Sequence, residues 1–362
     1  MPTRTSWPDR RLIDLIGIAH PILLAPMAGA MDHALAAEVA EAGGLGSLPC
    51  AMLEPDQVRD EVQKYRARTS KPLNLNFFCH TPPELSNARE AAWRERLAPY
   101  YRERGIDPAA PVPNTNRRPF DAAFCDVVLE LKPEVVSFHF GLPAKALFER
   151  LKDAGIVIFC SATTAAEARA LAGAGVDAVV AQGYEAGGHR GMFLTTDVAA
   201  QAGTFALVPQ IVDAVDVPVI AAGGVSDARG IAAAFMLGAS AVQIGTAFLL
   251  CPESRISSIH RAALKGARDD GTSLTTLMTG RPARGLTNRL MRELGPLSEA
   301  PAFPLAAGAL APLRASAEAE GSGDFSPLWS GQAASLAREM PAQELTRTLA
   351  SGALALLGGA TQ

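Results

Sequence analysis

The chain has 362 residues, 48% of them hydrophobic and 19% charged, with a formal net charge of −4. That length suits one large elaborated domain, or two domains, with a sizeable buried core. Charges of both signs are spread along the chain without long basic runs or aromatic-basic interleaving, so no nucleic-acid or membrane partner is expected and a small molecule is. The five cysteines (Cys50, Cys79, Cys125, Cys160 and Cys251) are scattered and form no CxxC pair, which argues against a disulfide framework and a metal site. The first 17 residues carry charge but no sustained apolar run with a cleavage site, and no segment approaches the roughly 20 apolar residues of a membrane span. A soluble, cytoplasmic protein is the expectation.

Short apolar runs alternate with alanine-rich helical patterns, as in parallel strands buried on both faces and joined by helices. In chain order the predicted strands are 21–27 (PILLAPM), 45–50 (LGSLPC), 73–78 (LNLNFF), 135–140 (VVSFHF), 156–161 (IVIFCS), 178–183 (AVVAQG), 218–224 (PVIAAGG) and 241–248 (AVQIGTAF). Helical patterns with legible ends lie between them: 34–42 stops at Gly43-Gly44, 164–172 near Gly173, and 227–237 at Gly238. Eight such units in about 250 residues predict an α/β fold of the closed (β/α)8 TIM type, with its site at the C-terminal strand ends. An open doubly wound sheet is the competing topology.

Two segments interrupt the repeat. Residues 80–126, with prolines, charges and the turn-rich PVPNTNRRP, read as an insertion or an elaborated helical connection near the barrel mouth. Past Cys251 more than a hundred residues remain, where a barrel needs one helix. The expected division is a barrel over 1–251, a substrate or cap region over 252–326, and a C-terminal helix within 327–362. That last part is amphipathic over 331–357 and is expected to pack back on the barrel.

The ends of strands seven and eight carry the clearest ligand signal. Ala222-Gly223-Gly224-Val225 precedes a helix cap at Ser226-Asp227, and Gln243-Ile244-Gly245-Thr246 follows at the next strand, so two sets of backbone N–H groups face one prospective anion. Barrels often bind phosphate there. Pro26 to Ala30 offer pliable backbone at the first strand end, while Asn76 and Gln182 offer amides that both donate and accept. A phosphorylated flavin uses such groups. The segment QGYEAGGHRG, residues 182–191, sets a lone histidine among glycines just beyond an apolar strand, a mixture that a core strand has no use for.

PILLAPMAGA, FHFGLP, QGYEAGGHRG and PVIAAGG together resemble the ordered motifs of the nitronate monooxygenases, over most of residues 12–250. The resemblance implies a flavin-binding (β/α)8 barrel with an added substrate domain, and FMN as cofactor. It implies that Gly29, Ala30, Met31, Asn76, Gln182, Gly187, Gly223, Gly224, Gln243, Ile244, Gly245 and Thr246 hold FMN, with Asn74 a neighbouring rival to Asn76. His189 matches the catalytic histidine. At the reference pKa of about 6.5 its imidazole is available as a base on a nitroalkane or as a partner for an anionic nitronate. The reaction implied is oxidation of alkyl nitronates, propionate 3-nitronate among them, with O2 to carbonyl products and nitrite.

His139 and Glu185 read as supporting groups near the site. Arg190, with Arg281, Arg284 and Arg289 of TGRPARGLTNR, offers guanidinium groups to a substrate carboxylate if the tail folds over the barrel. The remaining histidines, His20, His33, His80 and His260, read as structural. The nearest rival reading is an NAD(P)H-dependent flavin reductase, including an enoyl-acyl-carrier-protein reductase of the related barrel type. A noncatalytic flavin-binding module is a second rival, and the IMP dehydrogenase group, which residues 221–248 also resemble, lacks its catalytic-cysteine loop here. Monomer and homodimer both stay open.

Overall fold

A computed structural model describes residues 6–113 and 117–359; residues 1–5 of the N-terminal stretch, residues 114–116 within the PVPNTNRRP turn, and residues 360–362 lie outside the described residues. The eight apolar runs form the strands β1 (Ile22–Leu24), β2 (Gly46–Pro49), β3 (Leu73–Phe78), β4 (Val135–His139), β5 (Val157–Ala162), β6 (Ala178–Gln182) and, after a two-residue β7 (Gly188–His189), β8 (Val219–Ala222) and β9 (Ala241–Ile244). Apart from β7 they make one parallel sheet in the order β1-β9-β8-β6-β5-β4-β3-β2. A parallel bridge between Leu23 and Leu45 joins the two ends, so the sheet closes into a barrel.

Strands one and eight are shorter than their apolar runs. The last ladder bond between them runs from Ala25 N to Ile244 O at 2.8 Å, and Pro26 has no N–H with which to continue it. The chain beyond Ile244 therefore leaves the sheet and winds into a 3-10 turn, Thr246–Leu250.

The helices are α1 (Arg11–Ile16), α2 (His33–Glu41), α3 (Pro55–Arg68), α4 (Asn87–Glu103), α5 (Ala122–Leu131), α6 (Lys145–Asp153), α7 (Ala165–Ala174), α8 (Thr204–Val212), α9 (Ala228–Met236), α10 (Ser258–Lys265), α11 (Arg289–Leu294), α12 (Ala306–Ala319) and α13 (Ala342–Gly359). Several start at side-chain caps on their free amides: Asp32 accepts from Ala34 N, Asp121 from Phe124 N, Thr164 from Glu167 N, and Asp227 from Arg229 N and Gly230 N. Among the described residues, no helix is long and apolar enough to cross a membrane.

After β3 the barrel position falls to α5, which packs on α3 and α6, while α4 leaves the barrel and packs on α12. Trp93, Leu97, Tyr100 and Tyr101 of α4 share a second apolar core with Leu277, Met291, Leu310, Leu313 and Phe325 of the tail. The segment after β3 and the tail thus bury their apolar surfaces against each other over the barrel mouth. At the end of the chain α13 packs between α9 and α2, the place of an eighth barrel helix. It starts later than its amphipathic run, because residues 331–341 form turns and a short 3-10 segment, Ala334–Leu336, and the helix begins only after Pro341, whose ring suits a helix start.

The tail also reaches the site through a small antiparallel sheet, β10 (Thr272–Thr275), β11 (Ala283–Leu286) and β7, in which Ala283 pairs with His189 and Arg284 with Gly188. Leu349 of α13 is 3% exposed. Leu349→Ala is expected to lower the unfolding free energy by about 2–5 kcal/mol through lost burial and a residual cavity, a loss that urea titration measures; an unchanged midpoint would show that α13 is not an integral barrel helix.

Candidate functional site

A cavity of about 440 Å3 opens at the C-terminal ends of the barrel strands and is roofed by the tail. At the β8 end Gly223 and Gly224 turn with φ of 108° and 73°, a region that strains any residue with a Cβ. Among the described residues, the N–H groups of Gly224, Val225, Gly245 and Thr246 donate to no backbone carbonyl. These unspent donors converge at two adjacent strand ends, as an anion requires. Gly29, Ala30, Gln243, Gly245 and Thr246 line the same cavity.

Two expected contacts sit elsewhere. Met31 is buried beneath the first loop, its sulfur accepting from Met27 N at 3.4 Å. The Ile244 side chain is wholly buried in the barrel core and does not line the cavity, because strand residues alternate sides and Gln243 and Gly245 take the inward ones. Asn76 lines the cavity and donates to Ser137 Oγ at 2.9 Å. Asn74 lies two residues back in the strand, bonded to Ser47 Oγ at 3.0 Å, with Oδ1 buried and unpartnered. The side chain that reaches the cavity is that of Asn76.

His189 lies against Phe303, Trp329, Phe140 and Phe78, with ring centroids 5.2, 5.5, 5.9 and 6.1 Å away. Its Nε2 shares a hydrogen bond of 2.9 Å with Thr279 Oγ1. Its carbonyl oxygen accepts from Gln182 Nε2 at 2.9 Å and from His139 Nε2 at 3.1 Å. A carbonyl only accepts, so His139 carries its proton on Nε2 and takes a bond from Ser161 Oγ at Nδ1, 2.9 Å away. Gln182 Oε1 in turn accepts from Gly191 N at 2.7 Å. Gln182 and His139 line the cavity and also hold the loop that presents His189.

Burial, then the charges of Arg117 and Arg281, hold the His189 pKa well below the ordinary histidine value. Burial brings that of His139 down to about 3. Both rings are neutral at neutral pH, so the availability of a charged His189 near pH 6.5, expected from its reference value, is absent in the folded site. Burial raises the thiols of Cys50, Cys79 and Cys160, which stay protonated.

Glu185 and Arg190 do not line the cavity. The Glu185 carboxylate accepts from Thr204 N at 2.8 Å and Thr204 Oγ1 at 2.8 Å, capping α8 from the site loop. Arg190 is fully buried, donating to Gly183 O at 2.5 Å, Gln182 O at 2.8 Å and Gln201 Oε1 at 2.9 Å. Its guanidinium is consumed as a staple of the loop. The other arginines expected to meet a substrate are likewise engaged: Arg281 with Met192 O, Arg284 with Tyr184 O at 3.1 Å, and Arg289 with Glu103 and Glu293.

Sequence reasoning missed Phe78, Ser137 and Ser161, which line the cavity. Two-residue counting back from the strand ends finds them, since Asn76 and Phe78 share a face, as do Ser137 and His139. It also missed Arg117, Thr279, Phe303 and Trp329, which lie in irregular segments with no periodicity to mark them. The tail segment around Ser330 and Gly331 is interlocked with the site: Gly331 N donates to Thr246 Oγ1 at 2.9 Å, and a Cβ on Gly187 would lie 2.6 Å from Gly331 N.

Comparison with known proteins gives this arrangement a family. A family model described as Nitronate monooxygenase matches residues 9–352. A nitronate monooxygenase of Pseudomonas aeruginosa is 45% identical over 342 residues, covering 94% of this chain and 97% of the relative. Among solved structures, a nitroalkane oxidase from Streptomyces ansochromogenes is 40% identical with a TM-score of 0.87, covering 95% and 97% of the two chains. A FabK from Thermotoga maritima is 30% identical with a TM-score of 0.73, covering 96% of each. With the eight-stranded barrel, the loop that presents His189 and a match running almost end to end, the chain belongs to the nitronate monooxygenase family.

Proposed function

We propose that the protein is an FMN-dependent oxidoreductase that oxidises alkyl nitronates with O2 to carbonyl products and nitrite. The observation that carries this reading is the juxtaposition, in one cavity, of a convergent set of unspent N–H donors and a neutral histidine in an aromatic box. The residues fit a phosphorylated flavin: Gly224, Val225, Gly245 and Thr246 would donate to the phosphate, Gly29, Ala30 and Gly187 would border the cofactor, and Asn76 and Gln182 would offer amides to its ring. Ile244 and Met31 contribute packing only. FMN supplies electron acceptance and reactivity toward O2.

The chain's own residues supply orientation and proton handling. Phe78 and Trp329 shield the reacting group from water and take an alkyl chain, while Phe303 packs against the His189 ring. The uncharged imidazole of His189 accepts a proton from the carbon next to the nitro group of a nitroalkane, or hydrogen-bonds a preformed nitronate. Glu185 and Arg190 act on the loop and not on the substrate. Substrate and O2 are small molecules.

The discriminating experiment mixes FMN-loaded protein with ethyl nitronate or NADH without oxygen. Nitronate alone should change the flavin spectrum, and nitronate in air should drive oxygen uptake without nicotinamide; rapid bleaching by NADH with no response to nitronate would establish a nicotinamide-dependent reductase instead. Replacing His189 by Ala should lower nitroethane turnover by about 10²–10⁴-fold, the usual contribution of a positioned base, and ethyl nitronate turnover by less, since no proton need be removed. Equal losses would take proton abstraction away from His189. Because the folded pKa of His189 is depressed, its ring stays neutral as pH falls through the ordinary histidine range. The kcat for nitronate is therefore expected to show no inflection near pH 6.5, and a break there in the pH profile would contradict the neutral imidazole.

A further inference from the structure

Three arginines line the cavity: Arg117, Arg255 and Arg314. Arg255 pairs with Asp32 at 3.6 Å and Arg314 with Glu318 at 2.7 Å. Among the described residues, Arg117 has neither a carboxylate partner nor a hydrogen-bond acceptor for its guanidinium. The guanidinium lies over the Phe303 ring, 5.5 Å from the guanidinium carbon to the ring centroid. The group is part-buried, and burial lowers its pKa with no neighbouring acid to oppose the shift. A half-buried guanidinium without an anion is costly unless a ligand supplies one.

The fold separates this cation from the phosphate end. Arg117 follows β3, and in the closed order of strands β3 stands across the barrel from β8, whose end carries Gly223 and Gly224. It belongs instead with His189, because both pack on Phe303, the histidine with its ring centroid 5.2 Å from that of Phe303. His189 and Arg117 line the same cavity, so a molecule whose reacting carbon faces His189 has Arg117 within its reach. We propose that Arg117 is the specificity-determining residue that binds a carboxylate carried a few bonds from the nitronate carbon of the substrate. This rests on the reading of the cavity as a nitronate site. The planar guanidinium takes a carboxylate through two parallel N–H bonds.

The test compares FMN-loaded wild type, Arg117→Gln and Arg117→Lys with propionate 3-nitronate, which carries the carboxylate, and ethyl nitronate, which does not. Losing one partner of a buried ion pair weakens binding by about thirtyfold or more. The ratio of kcat/KM for propionate 3-nitronate over ethyl nitronate is therefore expected to fall by about thirtyfold in Arg117→Gln, mainly through KM, and to recover in part in Arg117→Lys. A ratio within about threefold of wild type overturns the proposal, whether both substrates or neither are affected. Propionate, which has the carboxylate and no nitronate, gives a second readout through intrinsic tryptophan fluorescence. Its binding should weaken at least tenfold in Arg117→Gln, and equal binding overturns the proposal whatever the turnover. Wild type that oxidises neither nitronate overturns the functional reading, and the propionate titration then decides the anion site by itself.

Discussion

The carbonyl oxygen of His189 is bound by two side chains from two barrel strands, Gln182 of β6 and His139 of β4, and the rest of the site is arranged around those bonds. The loop from Gly183 to Gly191 has only the two-residue strand β7 as regular structure. It nevertheless carries His189, the imidazole to which the proposed function gives the proton transfer. Each end of the Gln182 amide is used on it, the amide nitrogen on His189 O and the oxygen on Gly191 N. His139 packs so closely beneath that a Cβ on Gly191 would lie 2.8 Å from its Cε1. Breaking either bond leaves buried polar groups unpaired, at about 1–3 kcal/mol each. A neutral His139 is part of this arrangement, because a second proton would force Nδ1 to donate where it now accepts from Ser161.

The tail closes on the loop from the other side. Strand β11 pairs with it in register, Thr279 holds the imidazole at Nε2, and Gly331 fits against Gly187 where no Cβ has room. The barrel by itself builds the end of the cavity that carries the unspent amides after β8 and β9. The segment after β3, the site loop and the tail together build the end around His189. Arginines near the site are accordingly mostly structural: Arg190 and Arg284 donate to the carbonyl oxygens of Gln182, Gly183 and Tyr184 where the strand gives way to the loop.

All eight strands were legible as apolar runs, since a parallel barrel buries both strand faces and needs continuous hydrophobicity. Their ends were less so, because the point at which β1 and β9 part depends on Pro26 lacking a donor, a property of the pair and not of either run. The gathering of Gly223, Gly224, Gly245 and His189 at one cavity could be read from strand-end glycines and from resemblance. Side-chain direction could not: Arg190 follows His189 directly, yet the extended backbone sends it into the protein interior. Met31 and Ile244 fail as cavity residues for the same reason. Phe303, Thr279 and Trp329 come from tail segments whose placement rests on packing with α4, more than 170 positions earlier in the chain, and no local pattern announces that contact.

In the proposed function the barrel holds a flavin and the tail aims a histidine, two functions borne by different parts of the chain. The most direct measurement is the FMN dissociation constant beside kcat for ethyl nitronate in Thr279→Val and Thr279→Ser. Valine keeps the shape of threonine and removes the hydrogen bond to His189, so FMN affinity should stay within about twofold while kcat falls roughly tenfold from misplacement of the imidazole. Serine, which keeps the hydroxyl, should restore most of it. Loss of FMN binding in Thr279→Val, or a kcat equal to wild type, would contradict the account.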